Sequence, residues 1–211
     1  MPALTDFDAA LRQLPLVAIL RGLPPADAVA VGSVLFEAGF RLIEVPLNSP
    51  QPLLSIEALA RQLPEAVVGA GTVTEAEQVR QVQSAGGQLI VSPHLDRRVV
   101  EATVVRGLVS LPGVMTPSEA FAALRLGAHA LKVFPAEAVP APALKAMRAV
   151  LPPHARLLPV GGISPPHLAA YRAAGADGFG LGSALYRPGD SAEQVGRNAR
   201  ALVAAWQDAC R

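Results

Sequence analysis

The strongest constraint on this chain is an alternation. Eight short apolar runs, at residues 16–20, 42–45, 67–69, 88–91, 108–111, 130–133, 157–160 and 178–181, are separated by longer stretches with helical spacing. The short runs are continuous rather than alternating, as parallel strands covered on both faces should be. The longer stretches carry helix punctuation. Thr74 with Glu77, Thr116 with Glu119 and Ser191 with Gln194 are spaced as capping boxes, and Ser49 and Ser164 stand at N-cap positions. Pro50, Pro117 and Pro165 fall at first helical positions. Gly39, Gly86, Gly107, Gly127 and Gly175 fall just past helix ends, and two more helices stop at Leu63-Pro64 and Leu151-Pro152.

Eight strands, each followed by a helix, predict an α/β fold, a (β/α)8 TIM barrel, here with an extra N-terminal helix at about residues 5–13. One domain spans residues 1–211, with no linker or low-complexity segment. An open doubly wound sheet would carry a Gly-rich loop after its first strand, whereas this strand runs into Leu20-Arg21-Gly22-Leu23-Pro24-Pro25.

Composition narrows the function classes. A chain that is 51% hydrophobic and 17% charged folds into a core, and a net charge of +1 without basic runs argues against nucleic acid as a partner. No apolar run reaches membrane-spanning length, so no membrane association is expected. Asp6 and Asp8 are out of place in a signal peptide. The single cysteine, Cys210, cannot form an internal disulfide, which fits a cytoplasmic protein, and it reads as an inert thiol on a terminal helix. His94, His129, His154 and His167 show no ligand spacing, so no metal site is expected. His129, His154 and His167 fit surface or capping roles.

One of these strands carries a lysine. Lys132 is the only charge between Arg125 and Glu137, and the chain's other lysine, Lys145, lies in a helical stretch. A lysine in a water-poor pocket loses solvation for its ammonium, so its pKa falls and its neutral amine can attack a ketone to form a Schiff base. The competing reading is a lysine that snorkels from a strand end to solvent.

Barrel chemistry lies at the C-terminal strand ends, which here are Arg21, Glu44, Thr72, Pro93, Pro112-Gly113, Lys132, Gly161-Gly162 and Gly182-Ser183. Arg21 offers a bidentate fork for a carboxylate, or else a rim salt bridge. Glu44, between Ile43 and Val45, is a general base raised by desolvation, or a buried ion-pair partner of Arg21 or Lys132. The hydroxyl of Thr72 can donate to the same carboxylate or stabilise a turn. Gly161-Gly162 and Gly182-Ser183 lie after strands seven and eight, where this fold binds phosphate through backbone N–H groups.

Six motifs in order resemble the class I aldolases of 2-keto-3-deoxy-6-phosphosugar acids. They are Arg21-Gly22, Ile43-Glu44-Val45-Pro46-Leu47-Asn48-Ser49-Pro50, Gly69-Ala70-Gly71-Thr72-Val73, Pro112 to Ala120, Leu131-Lys132-Val133-Phe134-Pro135 and Val160-Gly161-Gly162. The Glu44 to Pro50 run resembles the galactonate branch; the gluconate branch has a Thr-Leu-Arg-Thr version of this loop and threonine in place of Val160. His94 is a departure, because the galactonate branch often has asparagine there.

The resemblance implies retro-aldol cleavage of a phosphosugar acid to pyruvate and D-glyceraldehyde 3-phosphate, with no metal or organic cofactor, by a cytoplasmic homotrimer. It implies that Lys132 forms the Schiff base and Glu44 moves protons through a water. It also implies that Arg21 and Thr72 hold the carboxylate, and that Pro93 and Phe134 wall the pocket. Val160 would face C4, and Gly161, Gly162, Gly182 and Ser183 would take the phosphate. Three rivals stand beside this reading: the gluconate-branch enzyme, a phosphosugar isomerase or epimerase without a Schiff base, and a noncatalytic phosphate-ligand-binding barrel.

Overall fold

A computed structural model describes residues 2–211. In chain order the elements are α1 (Pro2–Gln13), β1 (Leu16–Ile19), α2 (Pro25–Glu37), β2 (Leu42–Pro46), α3 (Pro52–Gln62), β3 (Val67–Gly71), α4 (Ala76–Ser84), β4 (Leu89–Val91) and α5 (Arg97–Val105). Then follow β5 (Val109–Leu111), β6 (Gly113–Val114), α6 (Pro117–Arg125), β7 (Leu131–Val133), α7 (Ala141–Val150), β8 (Leu157–Pro159), α8 (Pro165–Ala173), β9 (Phe179–Leu181) and α9 (Ala192–Ala209). A 3-10 turn at Ala136–Ala138 follows β7.

Every strand pairing is parallel. One sheet has the order β5-β4-β3-β2-β1-β9 and the other β6-β7-β8. The fold is therefore α/β, with a curled parallel sheet surrounded by helices. All eight expected strands are present. The fifth is divided into β5 and β6 at Pro112, which has no N–H for the ladder, although its carbonyl still accepts from the Lys132 N–H at 3.0 Å.

The strand residues separate by parity into two apolar clusters, which is why the runs are continuous in sequence. One set, including Ala18, Ile43, Val68, Ile90, Leu131, Leu157 and Phe179, packs outward on the helices. The alternate set, Val17, Leu42, Val67, Leu89, Val91, Val109, Leu111, Ala130 and Leu158, packs inward as a second core. Helix α1 closes the inner core, inserting Ala3, Phe7 and Ala10. Its Asp8 accepts from Arg156 at 2.6 Å, and that guanidinium lies 5.8 Å from the Phe7 ring centroid. The expected extra helix is thus the plug of the inner core.

The punctuation divides in two. Thr116 and Glu119 form the expected capping box, the Ser191 box is half formed because its hydroxyl accepts from the Gln194 N–H while the Gln194 side chain bonds Asn198, and the five C-terminal glycines all have positive φ. His167 caps as well, accepting from the Ser164 N–H at 3.2 Å. Two expectations fail. The α4 box is Glu75 with Gln78 instead of Thr74 with Glu77, and α3 starts at Pro52 with a left-handed Gln51 as N-cap, instead of at Ser49-Pro50. Ser49 serves a longer-range purpose, accepting from the Gly22 N–H at 2.9 Å.

Close strand approach depends on Gly69, where a Cβ would lie 1.9 Å from the Leu89 carbonyl oxygen. Because that neighbour is backbone it cannot swing away, so Gly69→Ala should destabilise by about 3 kcal/mol. Urea denaturation checks this. An unchanged midpoint would show that β3 and β4 can separate without loss.

Candidate active site

The inward parity that builds the second core also carries Glu44 and Lys132 to its open end. Glu44 is in register with Ile19 and Gly69, and Lys132 with Gly113 and Leu158. They are the only buried acidic or basic side chains among the described residues, 1% and 5% exposed. Both border one small void of about 10 Å³, together with Val17, Val91, Leu111 and Leu158 of the inner core. That volume is at the scale of a single water.

Gly71 makes room for the carboxylate. A Cβ at that position would lie 1.4 Å from Glu44 Oε1. Glu44 Oε2 is buried and has no hydrogen-bond partner within the protein. Burial pushes the Glu44 carboxyl above its ordinary 4.5, opposed by the charges of Lys132 and Arg21. Burial pushes the Lys132 amine below 10.5, opposed by Glu44 and assisted by Arg21. Arg21 therefore favours both the carboxylate form of Glu44 and the neutral amine of Lys132. The Lys132 ammonium position also lies 4.6 Å from the Phe134 ring centroid.

Above the void a cavity of about 310 Å³ opens to solvent. Arg21, Lys132, Phe134, Val160, Gly161, Gly162, Gly182 and Ser183 all line it, so eight of the eleven expected site residues converge. Glu44 lines only the void beneath, while Val160 and Lys132 border both. Thr72 and Pro93 line neither. Thr72 sits just beyond β3, half-buried, with a left-handed φ of 56°, and Pro93 is half-buried with its carbonyl against Gly113.

The loops that frame the cavity are tied to one another. Arg21 donates to Asn48 Oδ1 at 2.8 Å, so the β2 loop fixes the guanidinium as well as the Gly22 backbone. Gly161 and Gly162 adopt positive φ, 109° and 61°, and the Glu137 carboxylate packs against the turn where side chains would otherwise stand. Gly180 keeps the β9 backbone close to Val160.

Sequence reading missed three lining residues of one loop, Tyr186, Arg187 and Pro188. The available signal was their position three to five residues after Ser183, on the same loop as an expected site residue. Among the described residues no group of three or more His, Cys, Asp or Glu side chains is placed to hold a metal ion. A buried amine, a buried carboxylate across a water-sized gap and a cavity above them are the parts needed for imine formation followed by proton transfer.

Residues 7–195 match the family model described as KDPG and KHG aldolase. A Rhizobium meliloti protein named probable 2-dehydro-3-deoxy-6-phosphogalactonate aldolase is 46% identical over 193 residues, covering 91% of each chain. The Escherichia coli 2-dehydro-3-deoxy-6-phosphogalactonate aldolase is 44% identical over 198 residues, covering 93% of this chain and 97% of that one. A solved structure described as native KDPGal superimposes with a TM-score of 0.92 at 44% identity, over 94% of this chain and 97% of that chain. With a matched family model over most of the chain and a buried lysine and glutamate at the strand ends, the chain belongs to the KDPG and KHG aldolase family.

Proposed function

We propose that this enzyme is a class I aldolase that cleaves 2-dehydro-3-deoxy-6-phosphogalactonate to pyruvate and D-glyceraldehyde 3-phosphate. The observation that carries the reading is the pairing of Lys132 with Glu44 across a water-sized void at the floor of the cavity. Lys132 Nζ, whose neutral form burial favours, attacks C2, and loss of water gives an iminium. Glu44 takes the C4 hydroxyl proton through a water in the void as the C3–C4 bond breaks and its electrons move to the iminium. The aldehyde leaves, the enamine is protonated at C3, and hydrolysis frees pyruvate. Arg21 holds the pyruvate carboxylate, with Thr72 as a second donor from the rim. Phe134 walls the reacting carbons, with Pro93 supporting from behind. Backbone N–H groups at Gly161, Gly162, Gly182 and Ser183 face the phosphate.

The same proposal includes a closed eight-stranded barrel in which β5 and β6 count as one strand. It is supported by the parallel bridge between Val160 and Gly180 and by the Asp177 N–H to Leu157 carbonyl bond at 2.9 Å, which link β8 to β9. It also includes a cytoplasmic homotrimer. The exposed Leu54 and Met115 are apolar surface that such an assembly would cover, and sedimentation velocity would test it.

The gluconate epimer is the second reading, and Val160 bears on the choice. It is 8% exposed, borders both the cavity and the void, and has no group that can hydrogen-bond a C4 hydroxyl. Discrimination between the epimers should therefore be weak. Val160→Thr supplies a hydroxyl and should shift the ratio of kcat/KM for the two epimers toward gluconate by about 1–3 kcal/mol, the scale of one hydrogen bond. A ratio that does not move would place selectivity in the Pro46 to Ser49 loop or at His94.

Borohydride reduction with pyruvate should give a permanent mass increase in the wild type and none in Lys132→Arg, which keeps the charge but not the amine. Near wild-type cleavage by that variant would refute the lysine assignment, while Lys145 should be replaceable without loss.

Glu44→Gln should still trap pyruvate but exchange deuterium into its C3 about 10²–10⁴-fold more slowly. The same variant has a stability signature. Because the folded-state pKa of Glu44 is raised, the protonated form stabilises the fold below 4.5, and that contribution is lost as pH rises through the folded value. Glu44→Gln should thus melt higher than wild type at neutral pH, with the gap closing as pH falls toward 4.5. A gap independent of pH would mean that Glu44 titrates normally.

A further inference from the structure

The cavity holds two arginines, and neither is neutralised by a carboxylate. Among the described residues the arginines in ion pairs are Arg80, Arg97, Arg98, Arg148, Arg156, Arg197 and Arg211. Arg21 and Arg187, which line the cavity, are not among them. Arg21 stands at the reacting end, close enough to act on the ionisation of both Glu44 and Lys132, whereas the Arg187 guanidinium is bonded to the Ser183 carbonyl at the turn beyond β9. The two guanidiniums thus mark different ends of one cavity, and a substrate with two anionic ends would match them.

The Arg187 loop is built to hold its side chain in place. The Asp190 carboxylate accepts from the Arg187 backbone N–H at 2.9 Å, and the Asp190 N–H returns a bond to the Arg187 carbonyl at 2.9 Å. Tyr186 on one side is buried at 3% exposure, and Pro188 on the other packs on Gly22, where a Cβ would lie 2.7 Å from Pro188 Cγ. The Nε–H donates to the Ser183 carbonyl at 3.2 Å, which aligns the guanidinium with the Gly182-Ser183 turn. Its remaining N–H groups are available to a ligand. A bidentate fork is the arrangement that suits a phosphate.

The neighbouring turn brings a negative charge close to the same site. The Glu137 carboxylate lies against Gly161-Gly162, with its oxygens 2.5 and 2.7 Å from where the two Cβ atoms would stand. A phosphate received by those backbone N–H groups meets a neighbouring negative charge, which backbone dipoles alone offset poorly.

We propose that Arg187 is the side chain that binds the C6 phosphate, drawing it toward the Gly182-Ser183 turn and setting the preference for phosphorylated substrate. This rests on the aldolase reading above. The test is the condensation of pyruvate with D-glyceraldehyde 3-phosphate and with unphosphorylated D-glyceraldehyde, in wild type, Arg187→Gln and Arg187→Lys. Arg187→Gln should lower kcat/KM for the phosphorylated aldehyde about 10–100-fold, mainly through KM, the weight of a charge-assisted contact. The unphosphorylated aldehyde should be unaffected, Arg187→Lys should fall between, and the borohydride adduct with pyruvate should persist in both variants. An equal fall for both aldehydes would make Arg187 a loop brace and overturn the proposal, as would no fall at all. Absence of the pyruvate adduct in the wild type would instead bring down the aldolase reading, and this proposal with it.

Discussion

Everything in this molecule depends on parallel strands buried on both faces. The outward parity packs on helices and the inward parity packs on itself, so the interior is an apolar stack plugged at one end by Phe7 of α1. At the other end the same inward parity brings in Glu44 and Lys132. Each is penalised by burial and relieved by the other's charge. The two groups therefore bias each other's ionisation, so that their protonation is set as a pair and not by burial alone.

Holding two ionisable groups in an apolar interior requires the surrounding backbone to make space rather than contacts. Gly71 yields volume to the Glu44 carboxylate, and Gly180 yields it to Val160 and Ile19. The loops beyond the strands supply rigidity. Asn48 and Ser49 reach across to Arg21 and Gly22, and Pro188 packs on Gly22 from the other neighbour. The β1 end is thereby gripped from both sides, which fixes a long, flexible arginine in the cavity that Lys132 lines, at low entropic cost.

Local punctuation was legible where the signal is local. A threonine and a glutamate three residues apart at 116 and 119 need only each other and the first turn, and they cap α6 as expected. Ser49 has the same local appearance, but its hydroxyl goes to Gly22 in another loop, and α3 starts three residues after it. A hydroxyl has one best partner, and tertiary proximity offered a better one than the helix. Thr74 lost its role to Glu75 because Gln78 reaches the Thr74 and Glu75 N–H groups together. The gap between β5 and β6 falls at Pro112, which lacks an N–H, yet its carbonyl accepts from the Lys132 N–H at the start of the β6-β7 ladder.

By itself, the sequence determined the alternation of strands and helices, the two-sided burial that continuous apolar runs demand, and the lysine and glutamate that break those runs. These are properties of spacing and residue type, and they survive any detail of packing. Only the tertiary structure decided which strand-end residues share a cavity. Thr72, Pro93 and Arg187 look alike as strand-end or loop residues, but Thr72 and Pro93 stay outside and Arg187 comes in. The physical reason is that membership of the cavity depends on loop conformation. The left-handed φ at Thr72, the Pro188 contact on Gly22 and the Asp190 clasp on the Arg187 backbone each depend on neighbours distant in sequence or on backbone geometry that residue type alone does not specify.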